Sequence, residues 1–206
     1  MTNCLFFGDS IVYGEYDGIL GGWVENLKRF CHGKYYNHNA KEVNIFNLGI
    51  GGETTEGLLK RFDVEFSARK SSFDNLIFLS YGTNDLAIKD KIQIVSKENY
   101  KKNLENVILQ AKQTTDKIYL VSILPVSSKV DGVIVSSGKL RTIEMIKEYN
   151  NVLKLIAEEN GVEYIDTYSA FFDNKEEFLS KDSVHPNEKG YQLISEYVKP
   201  IIEKYL

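Results

Sequence analysis

Apolar and polar positions along this chain alternate between two rhythms. Short unbroken apolar runs stop abruptly at glycine or at Asn/Asp/Ser clusters. Longer stretches between them repeat apolar residues every three or four positions. The first pattern predicts buried strands and the second amphipathic helices. Strands are expected at about 4–8, 43–48, 76–81, 117–124 and 162–166. The first intervening helix, opened by Gly21-Gly22, carries Trp23, Leu27 and Phe30. The second, capped by Thr54 or Thr55, carries Leu58, Leu59, Phe62 and Phe66. A helix over 97–113 spaces Leu104, Val107, Ile108 and Ala111 on one face. Another over 140–159 has Ile143, Ile146, Val152, Leu153 and Ile156 as its stripe and ends at Asn160-Gly161. A short helix near 175–180 precedes a last one over 188–205, with Tyr191, Ile194, Val198 and Ile201 inward. Residues 32–42 and 126–138 show no period and read as loops.

No two strands are joined by a hairpin-length turn. Strands alternating with helices argue for an α/β protein with a parallel sheet and helices on both faces. Right-handed crossovers place all strand C-termini along one edge, where ligands of open α/β sheets bind. At 206 residues the chain suffices for one domain, spanning 1–206, and is short for two.

Composition narrows the function. Hydrophobic residues at 43% and charged residues at 26% indicate a soluble globular protein. A net charge of -4 with no basic stripe argues against nucleic acid as a partner. No apolar stretch approaches the ~18 residues of a membrane span. The N-terminal residues lack a charged region followed by an apolar one, so a cytoplasmic location is expected. Two cysteines, Cys4 and Cys31, suggest no disulfide framework. With three histidines no metal cluster is visible, and His32 and His38 are expected to face solvent.

The chemistry gathers at the sheet edge. Strand one runs into Gly8-Asp9-Ser10, strand two into glycines ending at Gly52, and strand three into Gly82-Thr83-Asn84-Asp85. A fourth segment, Asp182-Ser183-Val184-His185-Pro186, lies just before the last helix. Asp and His three apart in one turn can point to the same side. Acyl transfer needs a hydroxyl nucleophile, a base, a group that orients the base, and donors for the oxyanion. Ser10, His185, Asp182 and the pair Gly52/Asn84 could supply them. Asn84 is a better donor than Asp85 because an amide gives hydrogen bonds and a carboxylate does not. Asp9 is expected to fix its turn, and Asp85 to have a local role. Asp166 competes with Asp182 as the acid, but chain order and the short spacing to His185 favour Asp182. The glycines fit neither Gly-x-Gly-x-x-Gly nor the Walker pattern, and the chain has no Gly-x-Ser-x-Gly elbow.

Four blocks together resemble the SGNH hydrolases, the GDSL-type esterases and lipases. They are Phe-Gly-Asp-Ser-Ile at 7–11, Asn-Leu-Gly-Ile-Gly-Gly-Glu-Thr at 47–54, Gly-Thr-Asn-Asp at 82–85 and Asp-Ser-Val-His-Pro-Asn at 182–187. They occur in the family order across nearly the whole chain. The resemblance implies a flavodoxin-like three-layer α/β/α sandwich with a five-stranded parallel sheet. It implies that Ser10 is the nucleophile, His185 the general base and then acid, and Asp182 the group that orients His185. The oxyanion hole would be the N–H groups of Ser10 and Gly52 with the Asn84 side chain, and no metal or cofactor is needed. Ile11 stands where the family has Leu, and Glu53 where Asp is more frequent.

The implied substrate is a small-molecule carboxylic ester. Short-chain acyl or acetyl esters, sugar acetates included, are favoured because no long apolar insertion supplies a deep acyl channel. Lysophospholipid and thioester cleavage also occur in such a family. Tyr13, Tyr16 and Tyr81 flank the predicted edge. Val130, Val133, Ile134 and Val135 could line an acyl pocket, form a lid or pack against a second subunit in a homo-oligomer. The rival reading is a non-catalytic flavodoxin-like module for FMN or a phosphate-bearing ligand. It would use the same glycines but gives Asp182 and His185 no reason to share a turn.

Overall fold

All five predicted strands form, and they lie parallel in one sheet. The computed structural model describes residues 1–206. The strands are β1 (Thr2–Gly8), β2 (Val43–Gly49), β3 (Asp74–Ser80), β4 (Ile88–Lys89), β5 (Ile92–Gln93), β6 (Ile118–Val121), β7 (Lys139–Leu140) and β8 (Glu163–Ile165). The helices are α1 (Ser10–Tyr13), α2 (Trp23–His38), α3 (Thr55–Arg69), α4 (Lys97–Ala111), α5 (Ile143–Asn160), α6 (Thr167–Phe172), α7 (Lys175–Phe178) and α8 (Glu188–Glu203). The five-stranded sheet has the order β2-β1-β3-β6-β8. Gly8 lies level with Gly49 on one side and Ser80 on the other. That register brings the ends of three strands, and the chemistry after each, to one point on the edge.

Period-two alternation gives each side of the sheet its own core. On β1, Leu5 and Phe7 face the layer of α3, α4 and α5, with Phe62, Leu104, Val107 and Leu153. Cys4 and Phe6 face the layer of α2 and α8, with Trp23, Leu27, Ile194 and Val198. Phe6 stacks on Phe78 at 4.4 Å, and Phe78 on Tyr119 at 4.7 Å, an aromatic ladder across β1, β3 and β6. Burying each such ring contributes about 2–3 kcal/mol. This is the three-layer α/β/α sandwich expected. No helix is long and apolar enough to cross a membrane.

The differences from expectation are local. Residues 32–38 continue α2, because only one face of that helix is packed, through Trp23, Val24, Leu27 and Cys31. Its polar end, with His32 and His38, faces solvent. The strand expected over 117–124 is β6 and stops at Val121. The backbone of Ile123 pairs instead with the side chain of Asn150, which accepts from its N–H at 2.8 Å and donates to its carbonyl at 2.9 Å. The α5 helix begins at Ile143, capped by Thr142, rather than at 140. Residues 139–140 are β7, which pairs antiparallel with β4, and β4 with β5. That three-stranded minisheet was not expected, since two-residue strands are too short to display a period.

Candidate active site

The turn after β1 is forced by close packing. Asp9 caps α1, accepting from the Ile11 N–H at 2.9 Å. The one-turn helix folds back onto the sheet. A Cβ on Gly8 would sit 2.1 Å from Val12 Cγ2, and one on Gly49 would sit 2.2 Å from the Tyr13 backbone nitrogen. Only glycine at both places lets α1 settle between the strand ends. Ser10, the first residue of α1, is thereby fixed at the rim.

The second element is the turn before α8. Asp182 Oδ1 accepts from the backbone N–H groups of Val184 and His185, both at 3.0 Å, and from Ser180 Oγ at 2.7 Å. Its Oδ2 lies 2.5 Å from His185 Nδ1, and His185 Nε2 lies 2.7 Å from Ser10 Oγ. Ser183 holds a left-handed φ of 66°, and bonds from Ser180 N–H to the His185 carbonyl and from Ser127 N–H to the Ser183 carbonyl pin the turn. Burial pushes the Asp182 carboxyl up, but the bonds it accepts outweigh that and hold it well below the usual carboxylate range. An ionised Asp182 keeps the imidazole proton on Nδ1 and leaves Nε2 bare toward Ser10. Asp166, the competing acid, caps α6 by accepting from Ser169 and takes no part here.

The third element faces these two. Residues 50–53 form a turn closed by Glu53 N–H donating to the Ile50 carbonyl at 3.1 Å. Its third residue, Gly52, has φ of 78°, the conformation a type II turn demands there. The N–H groups of Ser10 and Gly52 donate to no protein acceptor. Asn84 Nδ2 donates to the Glu53 carbonyl at 3.1 Å and to Asp9 Oδ2 at 3.3 Å. Burial pushes the Asp9 carboxyl up to about 6, against the Ile11 N–H and nearby cations.

These groups line a cavity of about 450 Å³ whose only apolar side chains besides Tyr16 are Val135 and Val184. A larger cleft of about 980 Å³ lies beside it, lined by Tyr13, Tyr16, Asp17, Glu25 and Asn47, and shares Glu15, Tyr16 and Gly51 with it. The larger cleft contains neither Ser10 nor His185; both line the smaller one.

The sequence description of the GDSL-like lipase/acylhydrolase family matches residues 6–193. The chain belongs to that family. It is 26% identical to the spore germination lipase LipC of Bacillus licheniformis over 93% of this chain and 92% of that one. It is 22% identical to an acetylxylan esterase of Geobacillus stearothermophilus, over 93% and 89%. Among solved structures, a lipase/acylhydrolase from Enterococcus faecalis superposes with a TM-score of 0.78 at 25% identity, covering 99% of this chain and 96% of that one. The protein is a carboxylic ester hydrolase, and the reading as an FMN- or phosphate-binding module falls away.

Further side chains of this acylhydrolase hold these loops in place. Arg61 on α3 donates from Nη2 to the Leu48 carbonyl and to Glu53 Oε2, both at 2.6 Å, and so ties together both ends of the Gly52 loop. Tyr81 donates to the same Glu53 oxygen at 2.6 Å. Tyr81 therefore sits buried behind the loop rather than flanking the edge, whereas Tyr13 and Tyr16 are exposed. Asp85 accepts from Thr55 N–H at 2.9 Å and Oγ1 at 2.6 Å, fastening the start of α3, and burial pushes its carboxyl up to about 6. Of the 126–138 segment, Val135 reaches the cavity, Val130 packs on the core, and Val133 and Ile134 are exposed. Lys139 Nζ donates to Asn84 Oδ1 at 2.7 Å, and Arg141 Nε to the Thr83 carbonyl at 2.7 Å. The alternation Lys139-Leu140-Arg141 was the available signal, because period two puts both cations on one face.

Proposed function

We propose that this hydrolase cleaves short-chain acyl esters by a serine mechanism. Ser10 Oγ attacks the ester carbonyl while His185 Nε2 takes its proton. Asp182 holds the imidazole and stabilises the imidazolium that forms. The oxyanion is received by the N–H groups of Ser10 and Gly52 and by Asn84 Nδ2, which exchanges its longer bond, to Asp9, for one to the oxyanion. His185 then protonates the leaving alcohol, the Ser10 acyl ester remains, and water activated by His185 releases the acid. The observation that carries this reading is the 2.7 Å contact of Ser10 Oγ with an imidazole backed at 2.5 Å by a carboxylate. The short acyl group is supported by the small, mainly polar cavity, which offers no apolar channel.

The larger cleft supports a second reading of the alcohol side. Exposed Tyr13 and Tyr16 beside Glu25 and Asn47 suit a sugar, whose ring faces stack on aromatics while its hydroxyls bond to polar groups. Such a protein would be a carbohydrate O-acetylesterase. A series of 4-nitrophenyl esters from acetate to palmitate, run beside acetylated xylo-oligosaccharides, tests both. The expected result is activity that falls steeply beyond short acyl chains and is abolished in a folded Ser10→Ala protein. Activity rising with chain length sinks the short-chain reading, and wild-type rates in Ser10→Ala sink the mechanism.

A further inference from the structure

Two cations stand in the catalytic cavity with no carboxylate to neutralise them. Arg141 and Lys139 both line it, on the side of Asn84. Neither has a carboxylate oxygen within 4.0 Å. Arg141 is only 6% exposed. Burial of a guanidinium is costly when no ion pair compensates it. Its Nε serves the Thr83 carbonyl and its Nη2 makes a long 3.4 Å contact to Asn84 Oδ1, while Nη1 donates to no protein group. Lys139 uses one of its three hydrogens, on the same Asn84 oxygen.

Holding one amide oxygen in place does not require two positive charges; a neutral donor on either residue would do it. Asp9 acts on both cations only from a distance, as do Asp182 on Arg141 and Asp85 on Lys139; Asp182 is committed to His185 and Asp85 to Thr55. The free hydroxyls of Ser136 and Ser137 line the same wall. On the opposite side, Glu15 marks the way to the larger cleft. The cavity is thus polarised, with its unspent donors and positive charge on the wall formed by residues 136–141.

We propose that Lys139 and Arg141 form an anion subsite, and that the preferred substrate is a carboxylic ester carrying a second, negatively charged group such as a carboxylate. This rests on the serine-esterase reading above and specifies its substrate. The anion binds Arg141 through Nη1 and Lys139 through its ammonium, with the serine hydroxyls as further donors. The ester carbonyl then lies against Asn84, next to the same cations.

Matched esters test the subsite, with kcat/KM ratios as the readout. The acyl-side pair is mono-4-nitrophenyl glutarate against its neutral methyl ester. The alcohol-side pair is 4-acetoxybenzoate against methyl 4-acetoxybenzoate. The expected result is a preference of about tenfold or more for the anionic member of one pair, from charge-assisted hydrogen bonds. High salt should shrink that preference, and the pair that shows it locates the anion on the acid or the alcohol. In Lys139→Gln the ratio should fall toward one, and in Lys139→Glu it should invert. Lys139 is half-buried on the cavity wall, and a circular dichroism spectrum and a melting curve establish that each variant compared is folded. Cleavage of the neutral esters with no anionic preference in either pair overturns the subsite and leaves the esterase standing. A preference that survives both Lys139 variants and Arg141→Gln also overturns it. Failure to cleave any of the four overturns the esterase reading and the subsite with it.

Discussion

The two walls of the cavity are built in opposite ways. On one, the Asp182 carboxylate, the His185 ring and the backbone that aims them lie within four consecutive residues, and the carboxylate bonds to its own turn through the Val184 and His185 N–H groups. On the other, Asn84 is held by Glu53, Asp9, Lys139 and Arg141, partners separated from it by 31 to 75 positions. The first wall is a local device that needs only its own turn and one anchoring bond from Ser127. The second exists only when the sheet, the Gly52 loop and the β4-β5-β7 minisheet are all assembled. Substitutions on the first wall should therefore strike chemistry and only the local turn, whereas those on the second should strike chemistry and the wider fold.

The largest expected effect is at Asp182. In Asp182→Asn the turn can retain its backbone bonds, but the imidazole is no longer held with its proton on Nδ1, and turnover should fall by roughly 1,000- to 10,000-fold. Single-turnover kinetics with 4-nitrophenyl acetate measure this, and a circular dichroism spectrum like that of wild type would mark the effect as chemical rather than as unfolding. A variant that keeps more than a tenth of wild-type turnover would remove Asp182 from its proposed role. Next is Asn84→Ala, which deletes one proposed oxyanion donor. Turnover should drop by about 100-fold or more, and here stability should drop too, because the Glu53 carbonyl and the Lys139 ammonium each lose their partner. Loss of stability with normal turnover would leave Asn84 a purely structural residue.

Arg61→Met is the reciprocal case. It touches none of the groups proposed to react, yet it unclamps the Gly52 loop at both ends and leaves Glu53, a largely buried carboxylate, without its cation. Breaking such a pair should cost about 3 kcal/mol of stability, read from urea midpoints. Turnover should also fall, by less than in Asn84→Ala. Equal stability in Arg61→Met and wild type would mean that the loop is held by its glycine turn alone.

The same contrast explains what could be read from the chain before folding. The sheet was readable because β1 and β3 are unbroken apolar runs, and Asp182 with His185 were readable because their spacing is itself the geometry. Arg61, Lys139 and Arg141 were not. Each lies far along the chain from the atoms it holds; the alternation across Lys139-Leu140-Arg141 is too short to stand out as a period, and no spacing marks Arg61. Tyr81 was misplaced for a related reason: it ends a strand at the reactive edge, but its hydroxyl is drawn back to Glu53. The end of α2 was missed because half of that helix faces solvent and carries no apolar stripe.

Asp9 links the helix that carries Ser10 to the second wall, and its ionisation gives the smallest and most specific prediction. It caps the helix that carries Ser10 and accepts from Asn84. Burial raises its carboxyl to about 6 in the folded protein, above the ordinary value of an unfolded Asp, about 3.9. The folded state thus holds this proton more tightly than the unfolded chain does. Asp9 contributes stability below about pH 4 that is lost as the pH rises through 6, a difference on the order of 2 kcal/mol. Asp85 has the same sign and the same window, and Asp182, held low, acts only below pH 4 in the opposite direction. Asp9→Asn can still cap α1 through its Oδ1 and leaves the Asp182 contribution in place, while Asp85 loses the part of its upward push that comes from the Asp9 charge. Comparing urea unfolding of the two proteins at pH 4 and pH 7 therefore reads Asp9 together with its push on Asp85: the decline between those values should be smaller in the variant. An equal decline would mean that Asp9 keeps an ordinary carboxylate affinity for its proton. If the decline shrinks and turnover at pH 7 falls as well, the charge on Asp9 is retained at the expense of stability. Its use would then be to hold the Asn84 amide and to act from a distance on the cations at 139 and 141.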